Sequence, residues 1–121
     1  MKNKVYFFSG SRADYSLIES IFFLFQKNKL FEKKLVLTGT NLSKKYSDNE
    51  KFNISQKNIH KIYTKLGNSQ KENFSKIMST YFSQFYRLLE KNKPNCVILL
   101  GDRYEALIFG ICAKLLNIKI I

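Results

Sequence analysis

The residues best suited to chemistry lie in two short loops, 9–14 and 101–105, each of which follows an apolar segment. The first loop contains Arg12, and the second contains Asp102 and Arg103. The whole chain has only three arginines, so these loops hold two of them. A guanidinium group binds phosphate through a planar fork, and a carboxylate can move a proton. The two loops together therefore predict a site for a phosphorylated ligand with acid/base chemistry beside it.

The elements that must position these loops alternate between strand and helix along the chain. Apolar and β-branched runs predict strands at residues 4–8, 35–38, 57–65, 95–100 and 118–121. Apolar residues at helical spacing predict helices over residues 16–29, 69–91 and 104–116. Such alternation is typical of a Rossmann-like parallel α/β sheet with flanking helices, and we predict the strand order 3-2-1-4-5.

That strand order would bring the two loops together. The first and fourth strands are neighbours in it, and ligands bind in the crevice beyond their carboxyl ends, where the order reverses. Each loop also opens a helix, whose first backbone N–H groups favour an anion. We therefore predict that Arg12 and Asp102 lie at the same end of adjacent strands.

Helix capping offers a structural alternative for several of these side chains. Ser16 and Glu19 have the spacing of a capping box, so the first helix is predicted to begin at Ser16. Asp14 could serve only as a cap of that helix, and Asp102 could cap the last helix or pair with Arg103. The residue types by themselves leave these alternatives open.

The sequence lacks the residues that several other cofactors require. No G-x-G-x-x-G follows the first strand, no acidic residue ends the second, and no P-loop motif is present. His60 is the single histidine and lies on the predicted third strand, where we expect a surface or hydrogen-bonded side chain. No cluster of histidine, cysteine and carboxylate has metal-ligand spacing. The sequence thus predicts no metal and no bound cofactor.

The charge of the chain is strongly basic but dispersed. There are 21 basic and 9 acidic residues, a net charge of +12, and the basic residues are mostly lysines spread along every segment. Dispersed lysines present no ordered surface for reading bases, so we expect no specific nucleic-acid binding, although a basic, non-catalytic interaction module stays an alternative. No apolar run reaches the roughly 18 residues of a membrane span. Cys96 and Cys112 lie in apolar segments without a signal peptide before them, which favours buried, reduced thiols in a cytoplasmic protein that contacts no membrane.

Three motifs resemble those of one enzyme family. They are S-R-A-D-Y-S at residues 11–16, L-T-G-T-N-L at 37–42 and L-G-D-R-Y-E-A-L at 100–107, and residues 115–121 look similar as well. In this order and spacing they resemble the hydrolysing UDP-N-acetylglucosamine 2-epimerases of sialic acid and related nonulosonate pathways. The resemblance implies a GT-B architecture, with two Rossmann-like domains and the nucleotide sugar between them. It covers all of this chain but only about the first third of a family member.

The resemblance also implies a reaction and roles for four residues. UDP-N-acetylglucosamine would be converted to N-acetylmannosamine and UDP by elimination of UDP to a 2-acetamidoglucal, followed by hydration. Arg12 and Ser16 of the first motif, and Arg103 of the third, would contact UDP. Asp102 would be the catalytic acid/base group, since both steps move protons. Neither a metal nor NAD is required for this chemistry.

Two departures from the family pattern bear on function. Asn41 stands where many members have histidine in a T-G-x-H-L motif. The family's H-x-G-G-E segment would follow the fifth strand, beyond Ile121. We therefore expect residues 1–121 to form a single, C-terminally truncated, Rossmann-like N-terminal domain that is inactive alone. Its partners would be a UDP-sugar and the missing C-terminal domain, and a homo-oligomer stays open for the full-length protein.

One alternative keeps the fold and changes the chemistry. The N-terminal domain of a GT-B glycosyltransferase would share the sheet without acid/base work by the Gly-Asp-Arg segment. The sequence leaves the sugar open as well, because N-acetylglucosamine and a diacetamido-trideoxy analogue both fit the pattern.

Overall fold

A five-stranded parallel sheet forms the centre of the fold. The computed structural model of the chain describes residues 2–42, 52–63, 74–101 and 103–121. The strands are β1 (Asn3–Ser9), β2 (Phe31–Leu37), β3 (Ile59–Lys61), β4 (Cys96–Ile98) and β5 (Lys119–Ile120). All neighbouring pairs are parallel, and the order is β3-β2-β1-β4-β5. The predicted fold class and strand order are therefore confirmed.

Helices cover both faces of this sheet. They are α1 (Arg12–Gln26), α2 (Phe74–Asn92) and α3 (Tyr104–Leu115). Because successive side chains of a strand point to opposite faces, β1 contributes to two cores. On one face Phe7 meets the ring of Phe22 in α1, with 5.3 Å between ring centroids. On the other face Phe8 stacks on Phe109 of α3 at 4.6 Å. The central strand is thus buried on both sides, as is typical of parallel sheets.

The apolar stripe of α2 is a core face, as its periodicity predicts. Tyr81, Phe85 and Leu89 recur every four residues and are buried against the sheet. Phe74 and Phe82, by contrast, remain exposed. Although α2 has 19 residues, neither it nor another helix in the described segments is both long and apolar enough to cross a membrane.

The first helix begins earlier than its capping pattern predicts. α1 starts at Arg12 with Ser11 as its N-cap residue, so the predicted start at Ser16 is wrong. The first turn contains neither glycine nor proline, and the helix extends back to the loop that leaves β1. Glu19, the expected capping partner of Ser16, instead accepts a hydrogen bond from the Tyr15 hydroxyl.

Strand lengths also differ from the predictions. β2 begins at Phe31, well before the predicted segment 35–38, because it pairs with β1 along the whole length of both strands. β3 is shorter than the predicted segment 57–65, since a 3-10 turn at Gln56–Asn58 occupies its start. β4 and β5 lie inside their predicted ranges but are shorter. The predicted start of the second helix, at residue 69, lies outside the described residues.

Both cysteines are free thiols, as the sequence predicts. Cys112 is buried in α3, and burial raises the pKa of its thiol to about 11. Cys96 on β4 is half-buried rather than fully buried, and burial again raises its pKa. Raised pKa values disfavour the thiolate, so neither thiol has the character of a nucleophile.

Candidate functional site

The loops that leave β1, β2 and β4 meet at the carboxyl edge of the sheet. β1 pairs with β4 in parallel, so the ends of these two strands are neighbours, as predicted. A Cβ atom added at Gly39, which follows β2, would lie 2.2 Å from the carbonyl oxygen of Gly10, which follows β1. A Cβ atom added at Gly101, which follows β4, would lie 3.5 Å from Oδ2 of Asp14. The three loops therefore form one contiguous surface at the crevice predicted to hold a ligand.

Arg12, the first residue of α1, contacts two aromatic rings. Its Cζ atom lies 5.2 Å from the ring centroid of Tyr15 and 5.2 Å from that of Phe52. The two rings meet edge to face, with 4.9 Å between their centroids. A guanidinium within about 6 Å of a ring centroid is attracted by the negative face of the ring. The rings thus hold the charge of Arg12 at a helix N-terminus, where an anion is also favoured.

A hydrogen-bonded pair supports the turn from β1 into α1. The hydroxyl of Ser9, a buried residue, lies 2.5 Å from Oδ1 of Asp14 and 3.0 Å from the carbonyl oxygen of Ser11. The interpretation of Asp14 as the N-cap is wrong, because Ser11 holds that position. Asp14 lies in the first turn instead, where its carboxylate accepts a hydrogen bond from Ser9 and complements the positive end of the helix dipole.

Arg103, the N-cap residue of α3, is bound by a buried carboxylate. Its Nε donates a hydrogen bond to Oε2 of Glu105 and its Nη2 donates to Oε1, both at 3.0 Å. The side chain of Glu105 is 1% exposed, whereas that of Arg103 is 39% exposed. Hydrogen bonding to Glu105 raises the pKa of Arg103, so the guanidinium stays charged. Glu105 thus holds the guanidinium group of Arg103 in a fixed position just after β4.

The structure places the predicted site residues unequally. Arg12 and Arg103 lie on loops that meet, whereas Ser16 lies exposed one turn further along α1. Asp102 lies outside the described residues, so its proximity to Arg12 stays a prediction. The two structural alternatives for Asp102, capping of the last helix and pairing with Arg103, likewise stay predictions, although Arg103 is the N-cap residue of α3. The substituted family position, residue 41, lies in the short 3-10 helix after β2.

Two residues of this surface had no predicted role. The sequence contains a signal for Glu105, because this acidic residue lies in the first turn of a nearly all-apolar helix, two residues after an arginine. Phe52 follows a polar stretch of sequence, and an isolated aromatic residue there is a weaker signal. Both act through contacts with loops that are distant in sequence.

His60 lies away from this surface, in the middle of β3. Its ring stacks on Tyr6 at 5.7 Å, and its buried Nε2 has no hydrogen-bond partner within the part of the chain that the structure describes. The expectation of a surface or hydrogen-bonded side chain is therefore wrong for this nitrogen. Burial lowers the pKa of the imidazole, as do Lys34 and Lys91. Among residues 2–42, 52–63, 74–101 and 103–121, no three histidine, cysteine or acidic side chains are grouped as metal ligands would be.

The sequence of the chain has relatives among known proteins. A family model described as UDP-N-acetylglucosamine 2-epimerase matches residues 24–121. GDP/UDP-N,N'-diacetylbacillosamine 2-epimerase (hydrolyzing) of Campylobacter jejuni is 33% identical, over 99% of this chain and 32% of its own length. UDP-N,N'-diacetylbacillosamine 2-epimerase (hydrolyzing) of Legionella pneumophila is 28% identical, over 100% of this chain and 33% of its own length. The chain thus spans about a third of the length of these relatives.

Solved structures of other proteins resemble the fold of this chain. The UDP-GlcNAc 2-epimerase of Neisseria meningitidis, bound to UDP-GlcNAc, superposes with a TM-score of 0.72 at 20% identity, over 97% of this chain and 31% of that one. The sheet order and helix placement are those of one Rossmann-like half of a GT-B fold. Since the family model also matches most of the sequence, the chain belongs to the UDP-N-acetylglucosamine 2-epimerase family. The resemblance carried by the loop motifs is thereby confirmed.

Proposed function

We propose that this chain is the N-terminal part of a hydrolysing UDP-N-acetylglucosamine 2-epimerase, which converts UDP-N-acetylglucosamine to N-acetylmannosamine and UDP. The observation that carries the proposal is the meeting of the β1 and β4 loops, each with an arginine held by its neighbours. Two guanidinium groups and two helix N-termini suit a diphosphate. Arg12, Ser16 and Arg103 would contact the UDP.

The proposed chemistry moves protons at C2 of the sugar. In the first step a base takes the C2 proton while the C1–O bond breaks and UDP leaves with the electron pair, which gives the 2-acetamidoglucal. In the second step water adds at C1 and a proton returns to the opposite face of C2. Asp102 is the acid/base group that this chain would supply. Arg12 and Arg103 would stabilise the negative charge that grows on the leaving diphosphate.

A second sugar is favoured by the relatives. The proteins from C. jejuni and L. pneumophila are both named for N,N'-diacetylbacillosamine, a diacetamido sugar. A relative from N. meningitidis named UDP-N-acetylglucosamine 2-epimerase is 25% identical over a shorter segment, 82% of this chain. The same elimination and hydration would apply, because the reacting C1 and C2 atoms are shared by the two sugars.

We propose further that the 121 residues alone do not turn over substrate. Elimination and hydration need acid/base groups on both faces of the sugar, and this chain supplies one candidate. An open crevice would also leave the diphosphate in water, where arginine contacts are weakened by the high dielectric and by salt. The remaining groups would come from the further two thirds that the relatives possess.

A fusion of this chain to the remaining part of the C. jejuni relative tests the function. We expect the fusion to release UDP and the free chain to release none. Asp102→Asn in the fusion should remove most of the turnover while UDP still binds, and Glu90→Gln, an exposed change on α2, should leave the rate unchanged. An unchanged rate for Asp102→Asn would contradict its catalytic role. Mass analysis of the released sugar would decide between the two substrates.

A further inference from the structure

Glu105 occupies the junction where the three loops of the candidate site meet. A Cβ atom added at Gly39 would lie 3.1 Å from Oε1 of Glu105, and one added at Gly10 would lie 3.4 Å from its Cβ atom. The carboxylate is therefore enclosed by the loops after β1 and β2 while it belongs to α3, which follows β4. A side chain enclosed in this way has little freedom to change rotamer.

We propose that Glu105 is a positioning residue, which holds Arg103 by one edge so that the other edge is presented to the diphosphate of UDP. This inference rests on the proposed use of Arg103 in binding UDP. Glu105 itself would touch neither the sugar nor the diphosphate.

The hydrogen-bond pattern of Arg103 carries the argument. A guanidinium has five N–H donors, and the Glu105 carboxylate takes one on Nε and one on Nη2. Three donors remain, two on Nη1 and one on Nη2, and one from each nitrogen forms the end-on fork that matches two phosphate oxygens. The Arg103 side chain is 39% exposed, so a ligand can reach this fork. Glu105 fixes the edge of the guanidinium formed by Nε and Nη2. The edge formed by Nη1 and Nη2 is therefore oriented before the ligand arrives, which lowers the entropy lost on binding.

Simple electrostatics predicts the opposite effect of removing the carboxylate. Glu105 is a negative charge close to a site proposed for an anion, so a neutral residue there should attract UDP more strongly by Coulomb's law. If Glu105 positions Arg103, the neutral variant should bind UDP more weakly. The sign of the change in affinity therefore distinguishes positioning from a mere charge effect.

The experiment uses the isotope-labelled 121-residue chain and titrates UDP by NMR, which reaches weak affinities. We expect Glu105→Gln to raise the Kd for UDP about tenfold, equivalent to about 1.4 kcal/mol. Glu90→Gln, the matched exposed control, should leave the Kd unchanged. In an Arg103→Lys background, Glu105→Gln should have no further effect, because the residue it positions is gone. The Arg103 Nε–H resonance should be slow to exchange in the unaltered chain and lose that protection in Glu105→Gln.

Each other result has a definite meaning. If UDP binds and Arg103→Lys weakens it while Glu105→Gln leaves the Kd unchanged or lowers it, the positioning role is wrong and the proposed function survives. If Arg103→Lys leaves the Kd unchanged, or if UDP binds neither to the chain nor to the fusion described above, the proposed UDP contact fails and the inference fails with it. Where only the fusion binds UDP, the same variants are compared in the fusion. If circular dichroism shows that Glu105→Gln is unfolded, Glu105→Asp is tested instead, because it keeps the charge but withdraws the carboxylate from Arg103. An unchanged Kd for UDP in Glu105→Asp would overturn the proposal, and a raised Kd would support it.

Discussion

The two arginines of the candidate site differ in the contacts that the structure describes for them. Arg12 contacts the faces of Tyr15 and Phe52, through an attraction that depends weakly on the orientation of the guanidinium. Arg103 is bound edge-on by the buried carboxylate of Glu105, through two hydrogen bonds that fix its plane. We call the Arg12 contacts the aromatic side of the crevice. The Arg103 contacts, which also include the Tyr104 ring at 5.8 Å, are the carboxylate side.

The difference bears on how this surface would hold the diphosphate that we propose as its ligand. Aromatic contacts keep a cation in place while allowing it to rotate, whereas a paired fork specifies the direction of every remaining donor. The aromatic side depends on Phe52, a residue from beyond β2, and the carboxylate side depends on two glycines that leave room for Glu105. Changes to these supports should therefore affect the two sides separately.

The largest effect should come from the junction that both sides share. Gly39 has a φ of +64°, and a Cβ atom there would meet the Gly10 carbonyl oxygen at 2.2 Å. We expect Gly39→Ala to lower the free energy of unfolding by about 3 kcal/mol, from backbone strain and displaced loops. Urea denaturation followed by circular dichroism measures this.

A second glycine provides the control for this prediction. Gly110 lies within α3, and its added Cβ atom would meet only the end of the flexible Leu99 side chain, at 3.1 Å. The better helix propensity of alanine offsets that contact, so Gly110→Ala should change stability by less than about 1 kcal/mol. Equal losses for the two variants would show that the loop junction is not specially constrained.

An intermediate effect is expected on the aromatic side alone. Phe52→Leu keeps an apolar side chain but removes a ring face worth about 0.5–1 kcal/mol to the guanidinium of Arg12. The Kd for UDP should rise about threefold, by the same conversion of energy to affinity. NMR titration measures it, and Phe82→Leu, which alters an exposed ring on α2, is the control. A change in the Arg103 Nε–H resonance in Phe52→Leu would contradict the independence of the two sides.

The smallest effect on the site is expected from His60, which lies outside both sides. Burial, Lys34 and Lys91 lower the pKa of its imidazole in the folded chain, so the unfolded chain binds a proton more readily. Stability should therefore fall as the pH drops below the unfolded pKa of about 6.5. His60→Gln should reduce this pH dependence in thermal melts and leave the Kd for UDP unchanged. An identical pH profile in the variant would exclude the imidazole as its source.

The sheet and its crevice could be predicted because they follow from local patterns. The apolar run of β1 and the four-residue spacing in α2 are visible in the sequence. The right-handedness of the connections between parallel strands then limits the strand order. The start of α1 was mispredicted because Ser16 and Glu19 have capping spacing but lie inside the helix. Glu105 and Phe52 were missed because their importance arises only when distant loops meet, which no local pattern reports.

The pairing of β1 with both β2 and β4 has a kinetic consequence. β1 meets β2 across a short α1 connection, but its pairing of Val5 with Cys96 closes a loop of roughly 90 residues. Contacts between distant segments form slowly, so we expect the β1-α1-β2 unit to fold first and β4 to dock later. Arg12 would then be in place on an early folding unit, while Arg103 would arrive with the last strands. The crevice would be among the final features to form as the chain folds.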